Sequence, residues 1–288
     1  LISGGSLTIG WLAYDFLCKS KLGEQPTTLM VLLFVILVVM AWGYNQIFTG
    51  RAALLHLGAF TASIMTGNVF FQIMPNQRIV VADLKAGRTP DAKYGKIAKL
   101  RSTHNNYLTL PVVFLMLSNH YPLAFGTEYA WIIASLIFLT GVTIRHYFNT
   151  MHATGAGPNW TWAVTVLLML IIAWLSSVRS TETIDQAEAR AMTPYEQHYA
   201  SAEGFDDAYN TVLGNCSMCH AREPFWDGIR WAPKGVYLET QADVAKHATQ
   251  IYLHAGVSHA MPPPNAIQMD ADARETLITW ITNARNDG

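Results

Sequence analysis

The sequence predicts an all-α protein of two unlike parts: a polytopic helical membrane domain over residues 1–178 and a small soluble helical domain over 202–288, joined by a tether over 179–201. Three observations carry this expectation. Hydrophobic residues are 51% of the 288 and charged residues only 14%, well below the roughly 25% charged of a soluble domain. Apolar runs of bilayer-crossing length recur through the first two thirds of the chain and then stop. After them comes Cys216-Ser217-Met218-Cys219-His220, a CxxCH spacing that joins two thiols to one haem and leaves the next residue as an axial ligand. The net charge of -1 argues against nucleic acid as a partner, and no nucleotide-binding or Ser/His/Asp motif is present.

In chain order, Leu1 to Leu17 spans about 25 Å as a helix, short of the roughly 30 Å of hydrocarbon in a bilayer. It begins without an initiator Met and lacks the basic lead and cleavage site of a secretory signal, so it reads as a spanning helix cut at its start, with further helices upstream. Full spans are expected at Thr28 to Phe48, Ala52 to Met74, Tyr107 to Phe125, Tyr129 to Phe148 and Trp160 to Val178. The segment Pro75 to Asn105 reads as a loop, and its Arg78, Lys85, Arg88, Lys93, Lys96, Lys99 and Arg101, with Lys19 and Lys21, place it on the cytoplasmic side. Counting crossings onward puts the residues after Val178 in the periplasm of a bacterial inner membrane, the side on which haem c is attached. Cys18 is then a cytoplasmic thiol with no expected partner.

The CxxCH motif predicts haem c bound through Cys216 and Cys219, with His220 as the first iron ligand. Met261, in Ala260-Met261-Pro262-Pro263-Pro264, is the expected second ligand, because the prolines keep that strand extended. Rival ligands are His247, His254, His259 and Met269, while Met218 lies inside the CxxCH turn and points away. Methionine ligation favours ferrous iron and a comparatively high potential. The competing reading is a zinc half-site or a redox dithiol. With three cysteines in the whole chain, zinc would need histidines to complete it, whereas the neighbourhood offers Phe205, Tyr209, Val212 and Leu213 at helical spacing. Leu277, Trp280 and Ile281 lie on a final helix begun near Asp270. From about Ala202 to Ala284 the chain resembles a small class I cytochrome c. That resemblance extends to Ala232-Pro233-Lys234-Gly235-Val236 and implies that the Pro233 carbonyl orients His220.

Polar side chains within spanning helices are functional candidates because hydrocarbon makes them costly. On the cytoplasmic side lie Asn68 and Gln72, then His104, Asn105 and Asn106, then Arg145, His146 and Asn149. On the periplasmic side lie Asn45, Gln46, Arg51, His56, Asn119 and His120. The ordinary alternative is snorkelling for the arginines and helix-to-helix bonding for the amides. The cytoplasmic cluster nevertheless supplies charge, donors and acceptors suited to a planar anionic heterocycle. An additional b-type haem between facing histidines such as His56 and His120 is a further alternative.

The stretches Arg101-Ser102-Thr103-His104-Asn105-Asn106-Tyr107-Leu108-Thr109-Leu110-Pro111 and Met116-Leu117-Ser118-Asn119-His120-Tyr121-Pro122 resemble the bacterial membrane-bound urate oxidases, or urate hydroxylases, which join a multi-helix membrane domain to a C-terminal cytochrome c. The resemblance covers essentially the whole chain. It implies a cofactor-free membrane site that oxidises urate with water to 5-hydroxyisourate, sends electrons to the fused haem, and has a soluble cytochrome c or a terminal oxidase downstream. Within that frame Arg145 neutralises the urate anion, His104 or His146 accepts a proton, and Asn105 and Asn106 read the purine edge. A cytoplasmic site would lie about 30 Å of bilayer from a periplasmic haem, so the group around His56 and His120 stands as the alternative location. The competing function is a membrane-anchored c-type cytochrome that only carries electrons within a respiratory or quinol-oxidising complex.

Overall fold

The computed structural model describes residues 2–178, 182–227, 229, 231–264 and 266–286. The described residues are helical, with no strand, and divide into two units, one built mainly from residues up to 177 and one mainly from residues 178 onward.

The first unit runs α1 (Ile2–Lys19), α2 (Pro26–Ile47), α3 (Gly50–Asn68), α4 (Met74–Lys85), α5 (Ala92–Leu117), the short α6 (Pro122–Phe125), α7 (Ala130–Thr154) and α8 (Trp160–Ser177). Apolar residues at helical spacing decide what is buried. In α2, Leu29, Leu33, Leu37, Ala41 and Tyr44 form one inward stripe, while Val31, Val35, Val39 and Trp42 stay exposed. In α8, Val166, Leu167, Met169, Leu170 and Trp174 are exposed. Such apolar outer faces are stable against lipid rather than water. Among the described residues, four helical stretches are long and apolar enough to cross a membrane: Pro26–Ile47, Gly50–Lys85, Ala130–Thr154 and Trp160–Ser177.

Two expected spans fall outside that set. The described part of the expected span Leu1 to Leu17, residues 2–17, lies on α1, whose hydropathy is diluted by glycines, serines and Asp15. Tyr107 to Phe125 lies on α5, which begins far upstream at Ala92 in basic sequence and stops at Leu117. The expected loop from Pro75 to Asn105 is itself a helical hairpin. After Asn68 the backbone widens into a π-turn over Val69–Ile73, and helix then continues through α4 with Pro75 in its first turn, where a missing N–H costs little. The chain reverses at Gly87, whose φ of 71° is one that glycine adopts without strain. Asp91 caps α5 by accepting the Lys93 N–H at 2.9 Å. The α5–α7 crossing is close because Pro111 lies against Gly141, where an added Cβ would come 2.5 Å from the proline ring.

The C-terminal unit contains α9 (Ile184–Ala189), α10 (Pro194–Ala200), α11 (Phe205–Asn215), α12 (Ser217–His220), α13 (Gln241–Lys246), α14 (Ala248–Ile251), a π-helical turn Tyr252–Val257, and α15 (Ala271–Asn286). Its core gathers Phe205, Val212, Leu277, Trp280 and Ile281, all singled out by their spacing, around Ala208, Val244, Ala248 and Ile251. Trp280 is fully buried and satisfies its indole N–H on the Tyr199 carbonyl at 2.9 Å. The final helix starts at the expected place, with Asp270 accepting the Ala273 N–H at 2.7 Å.

The described part of the expected tether is folded. Thr183 and Thr193 each form a capping box, Arg190 grips Glu196 with two bonds of 3.0 and 2.8 Å, and Ala187, Glu196 and Tyr199 are buried against the C-terminal core.

Candidate functional sites

Helical pitch divides the sequence-predicted cluster on α5 into two faces. Arg101, His104, Asn105 and Leu108 turn toward α1 and α3, whereas Lys99, Ser102, Thr103, Asn106 and Tyr107 turn toward α4 and α7. Consecutive residues in a helix are about 100° apart, so no small ligand touches His104 and Asn106 together.

The inner face is a buried polar network. Tyr14 Oη meets His104 Nδ1 at 2.7 Å and accepts from Asn68 Nδ2 at 3.2 Å. Asn68 also donates to Asn105 Oδ1 at 2.9 Å and accepts from Arg101 Nη1 at 3.2 Å, and Asn105 donates to the Met65 carbonyl at 2.9 Å. Arg101 is 2% exposed and pairs with Asp15 at 2.7 Å, with Gln72 donating to the same carboxylate oxygen at 3.1 Å. His104 is 1% exposed and its Nε2 has no partner among the described residues. Every other polar atom named here is satisfied, as burial demands, and the network's first consequence is to bind α1, α3 and α5 together. Asp15 was detectable in sequence as a lone carboxylate in an apolar run. Arg101 was not, because it reads as one more loop cation.

The outer face lines a groove of about 480 Å³ between α4, α5 and α7, bordered by Gln77, Lys99, Ser102, Thr103, Asn106, Tyr107 and Asn149. That volume suits a small ligand. Two sequence-predicted residues stand behind its wall. Arg145 Nε donates to the Asn106 carbonyl at 3.2 Å and to Asn106 Oδ1 at 3.0 Å, which leaves the Asn106 NH₂ free to donate elsewhere. His146 Nδ1 meets Tyr107 Oη at 3.2 Å. The structure thus sets Arg145 and His146 against two residues that line the groove, Asn106 and Tyr107, and places His104 and Asn105 on the far side of the helix. Lys99, Ser102, Thr103 and Tyr107 also line the groove and were not singled out in the sequence as candidates for it, although their spacing with Asn106 (i, i+3, i+4, i+7, i+8) marks one face. Of the proposed b-haem pair, His56 has both ring nitrogens engaged, with the Ala52 carbonyl and Ser3 Oγ at 2.8 Å each, and His120 is exposed on the turn after α5.

In the C-terminal unit Cys216, Cys219 and His220 occupy a single helical turn, the His220 N–H donating to the Cys216 carbonyl at 3.0 Å. Both cysteines are free. Burial pushes the Cys216 thiol up to about 12 and raises that of Cys219. Burial also lowers the pKa of His220, which favours the neutral imidazole a metal requires. His220 Nδ1 is hydrogen-bonded at 2.8 Å to the carbonyl of Val236, not of Pro233. Pro233 opens a tight 3₁₀ turn whose own carbonyl accepts the Val236 N–H at 3.2 Å, so the turn delivers the carbonyl three residues later. With Nδ1 donating, Nε2 presents its lone pair, and the residues fit a haem iron.

The supporting loop is held by Arg222, which donates to Glu239 at 3.0 Å, Asp243 at 2.9 Å and Glu182 at 3.2 Å and stacks on Tyr237. For Asp243 burial opposes ionisation, but the bonds from Arg222 and the Thr240 cap outweigh it and keep the carboxyl below the usual range. Met269 is buried in the core and His259 is exposed; Met261 is partly buried, its N–H bonded to the His254 carbonyl at 2.9 Å. Among the described residues no three His, Cys, Asp or Glu side chains gather as a cation site. A haem iron asks the protein for only two axial ligands.

Neither the curated proteins nor the solved structures contain a match to this chain. A family model described as urate oxidase N-terminal matches residues 1–176, the span that holds both the groove and the buried network. The chain belongs to the urate oxidase family defined by that N-terminal domain.

Proposed function

We propose that this protein is a membrane-bound oxidoreductase that converts urate to 5-hydroxyisourate in the groove of its first unit and passes the electrons to a haem c in its C-terminal unit. What carries the reading is the presence, in one chain, of a urate oxidase N-terminal domain and a CxxCH turn whose histidine is already oriented through Nδ1. Urate gains one oxygen from water and releases two protons and two electrons. The site therefore needs to hold a planar anion and to accept protons.

In the groove Lys99 balances the anion. Asn106, its oxygen occupied by Arg145, donates its NH₂ to a purine carbonyl, and Asn149 supplies a second amide on the facing helix. Arg145 thus acts by orienting Asn106. Tyr107 takes a proton from the bound water or substrate as it yields its own to His146 Nδ1. His104 and Asn105 hold α5 to α1 and α3. A haem c, when bound, would supply a one-electron acceptor; Cys216 and Cys219 would carry it, and His220 and Met261 would hold its iron. The lipid bilayer of a bacterial inner membrane holds the first unit, the C-terminal unit faces the periplasm, and a soluble cytochrome c or terminal oxidase takes the electrons onward.

The test is anaerobic addition of urate to membranes carrying the full-length protein, reading the reduced haem c absorbance. Reduction by urate, with 5-hydroxyisourate formed in proportion, is the expected result. Reduction by quinol or dithionite but not by urate would replace this reading with that of an electron carrier.

A further inference from the structure

We propose that Arg274 is the positioning residue for Met261, holding the backbone of the methionine-bearing loop so that the sulfur stays on the iron. This role rests on the haem reading above. The loop between the π-helical turn Tyr252–Val257 and α15 has little structure of its own. Pro262, Pro263 and Pro264 offer no backbone N–H, and among the described residues the loop's internal bonds include Ala266 N–H to the Pro263 carbonyl at 2.9 Å. Arg274, in the first turn of α15, supplies what is lacking. Its Nη1 donates to the Met261 carbonyl at 3.0 Å and also to the Ala255 carbonyl, within that π-helical turn. Carbonyls near a helix C-terminus lack intrahelical donors and attract a cation.

With the Met261 N–H on the His254 carbonyl at 2.9 Å, both backbone polar groups of Met261 are held. One guanidinium therefore ties together the preceding helical turn, the proposed ligand and the closing helix. A methionine–iron bond is weak enough to be lost when its loop wanders, and a fixed backbone opposes that loss.

The experiment uses the full-length protein with Arg274→Gln and Arg274→Lys, and Met261→Ala as benchmark. Covalent haem staining, the long-wavelength methionine-to-iron absorption of the ferric form, and the pH at which that absorption disappears are read for each. Both Arg274 variants are expected to keep covalent haem. In Arg274→Gln the absorption should weaken and its pH midpoint fall by about one unit, a tenfold shift in the ligand-exchange equilibrium. Lysine keeps a charged donor but on a flexible stem that does not hold it as a planar guanidinium does, and should restore it only in part. Wild-type absorption and midpoint in Arg274→Gln would overturn the proposal. So would parallel loss of helix content and haem in both variants, which marks a general structural role. Wild-type protein without covalent haem would overturn the haem reading itself, and haem without the methionine absorption in wild type would overturn Met261 as ligand.

Discussion

Removing the Asp15 carboxylate tests whether the inner face of α5 is structural. In Asp15→Ala, Arg101 loses its 2.7 Å ion pair while its side chain stays 2% exposed. What remains is the Asn68 oxygen at 3.2 Å and the backbone carbonyl of residue 15 at 3.4 Å. Breaking a buried pair costs about 3–5 kcal/mol because the surviving charge is left uncompensated. The expected value is the low end, about 3 kcal/mol, since two acceptors survive and membrane-embedded unfolded helices find other polar partners. Losing the contact with Lys19 adds little, as that side chain is 62% exposed. The unfolding equilibrium should therefore shift about a hundredfold. The assay is denaturation in detergent micelles followed by helical circular dichroism. Asp15→Leu with Arg101→Met, which removes both charges, should return to within about 1 kcal/mol of wild type. If the double variant is as unstable as the single, or if Asp15→Ala is neutral, the pair is not the clamp described here.

At the groove, Tyr107→Phe keeps the ring but removes the hydroxyl facing His146; it should lower urate-driven haem reduction by about tenfold or more, about 1.4 kcal/mol, with dithionite reduction normal. Arg145→Ala releases Asn106 and should act mainly by raising KM; unchanged kinetics in both variants would remove the groove from the mechanism. Met261→Ala should keep covalent haem but lose the methionine-to-iron absorption and lower the potential, whereas Cys219→Ser should impair attachment. The Arg190 bonds hold the Glu196 carboxyl below its usual pKa, and Asp243 is likewise depressed. A depressed folded-state pKa gives stability that is present above the unfolded value, about 4, and is lost as pH falls through the folded value. Acid should thus destabilise the C-terminal unit below about pH 4, and Glu196→Gln should flatten that dependence in a thermal melt of the full-length protein.

The parts legible in the sequence are those decided by neighbouring residues or by composition over a long window. Cys216, Cys219 and His220 fall on one helical turn because four residues make a turn, and apolar content alone marks the helices of α2, α3, α7 and α8. Phe205, Val212, Leu277 and Trp280 were readable as core because amphipathic periodicity reports which face is buried. Tertiary structure decided everything that depends on where a second element lies. Pro75 reads as a helix end, yet a π-turn lets the helix pass, which makes helix of an expected loop. His104 and Asn106 look like one site in print, but the pitch of α5 sends them to opposite sides, one toward Tyr14 and the other toward Arg145. The carbonyl on His220 belongs to Val236 rather than Pro233, because a turn's geometry selects which carbonyl faces the imidazole. Arg101 finds Asp15 far back along the chain, and Arg274 reaches Met261 across a helix start. A charge's partner is set by its place in space, and the one-dimensional order of residues does not contain that.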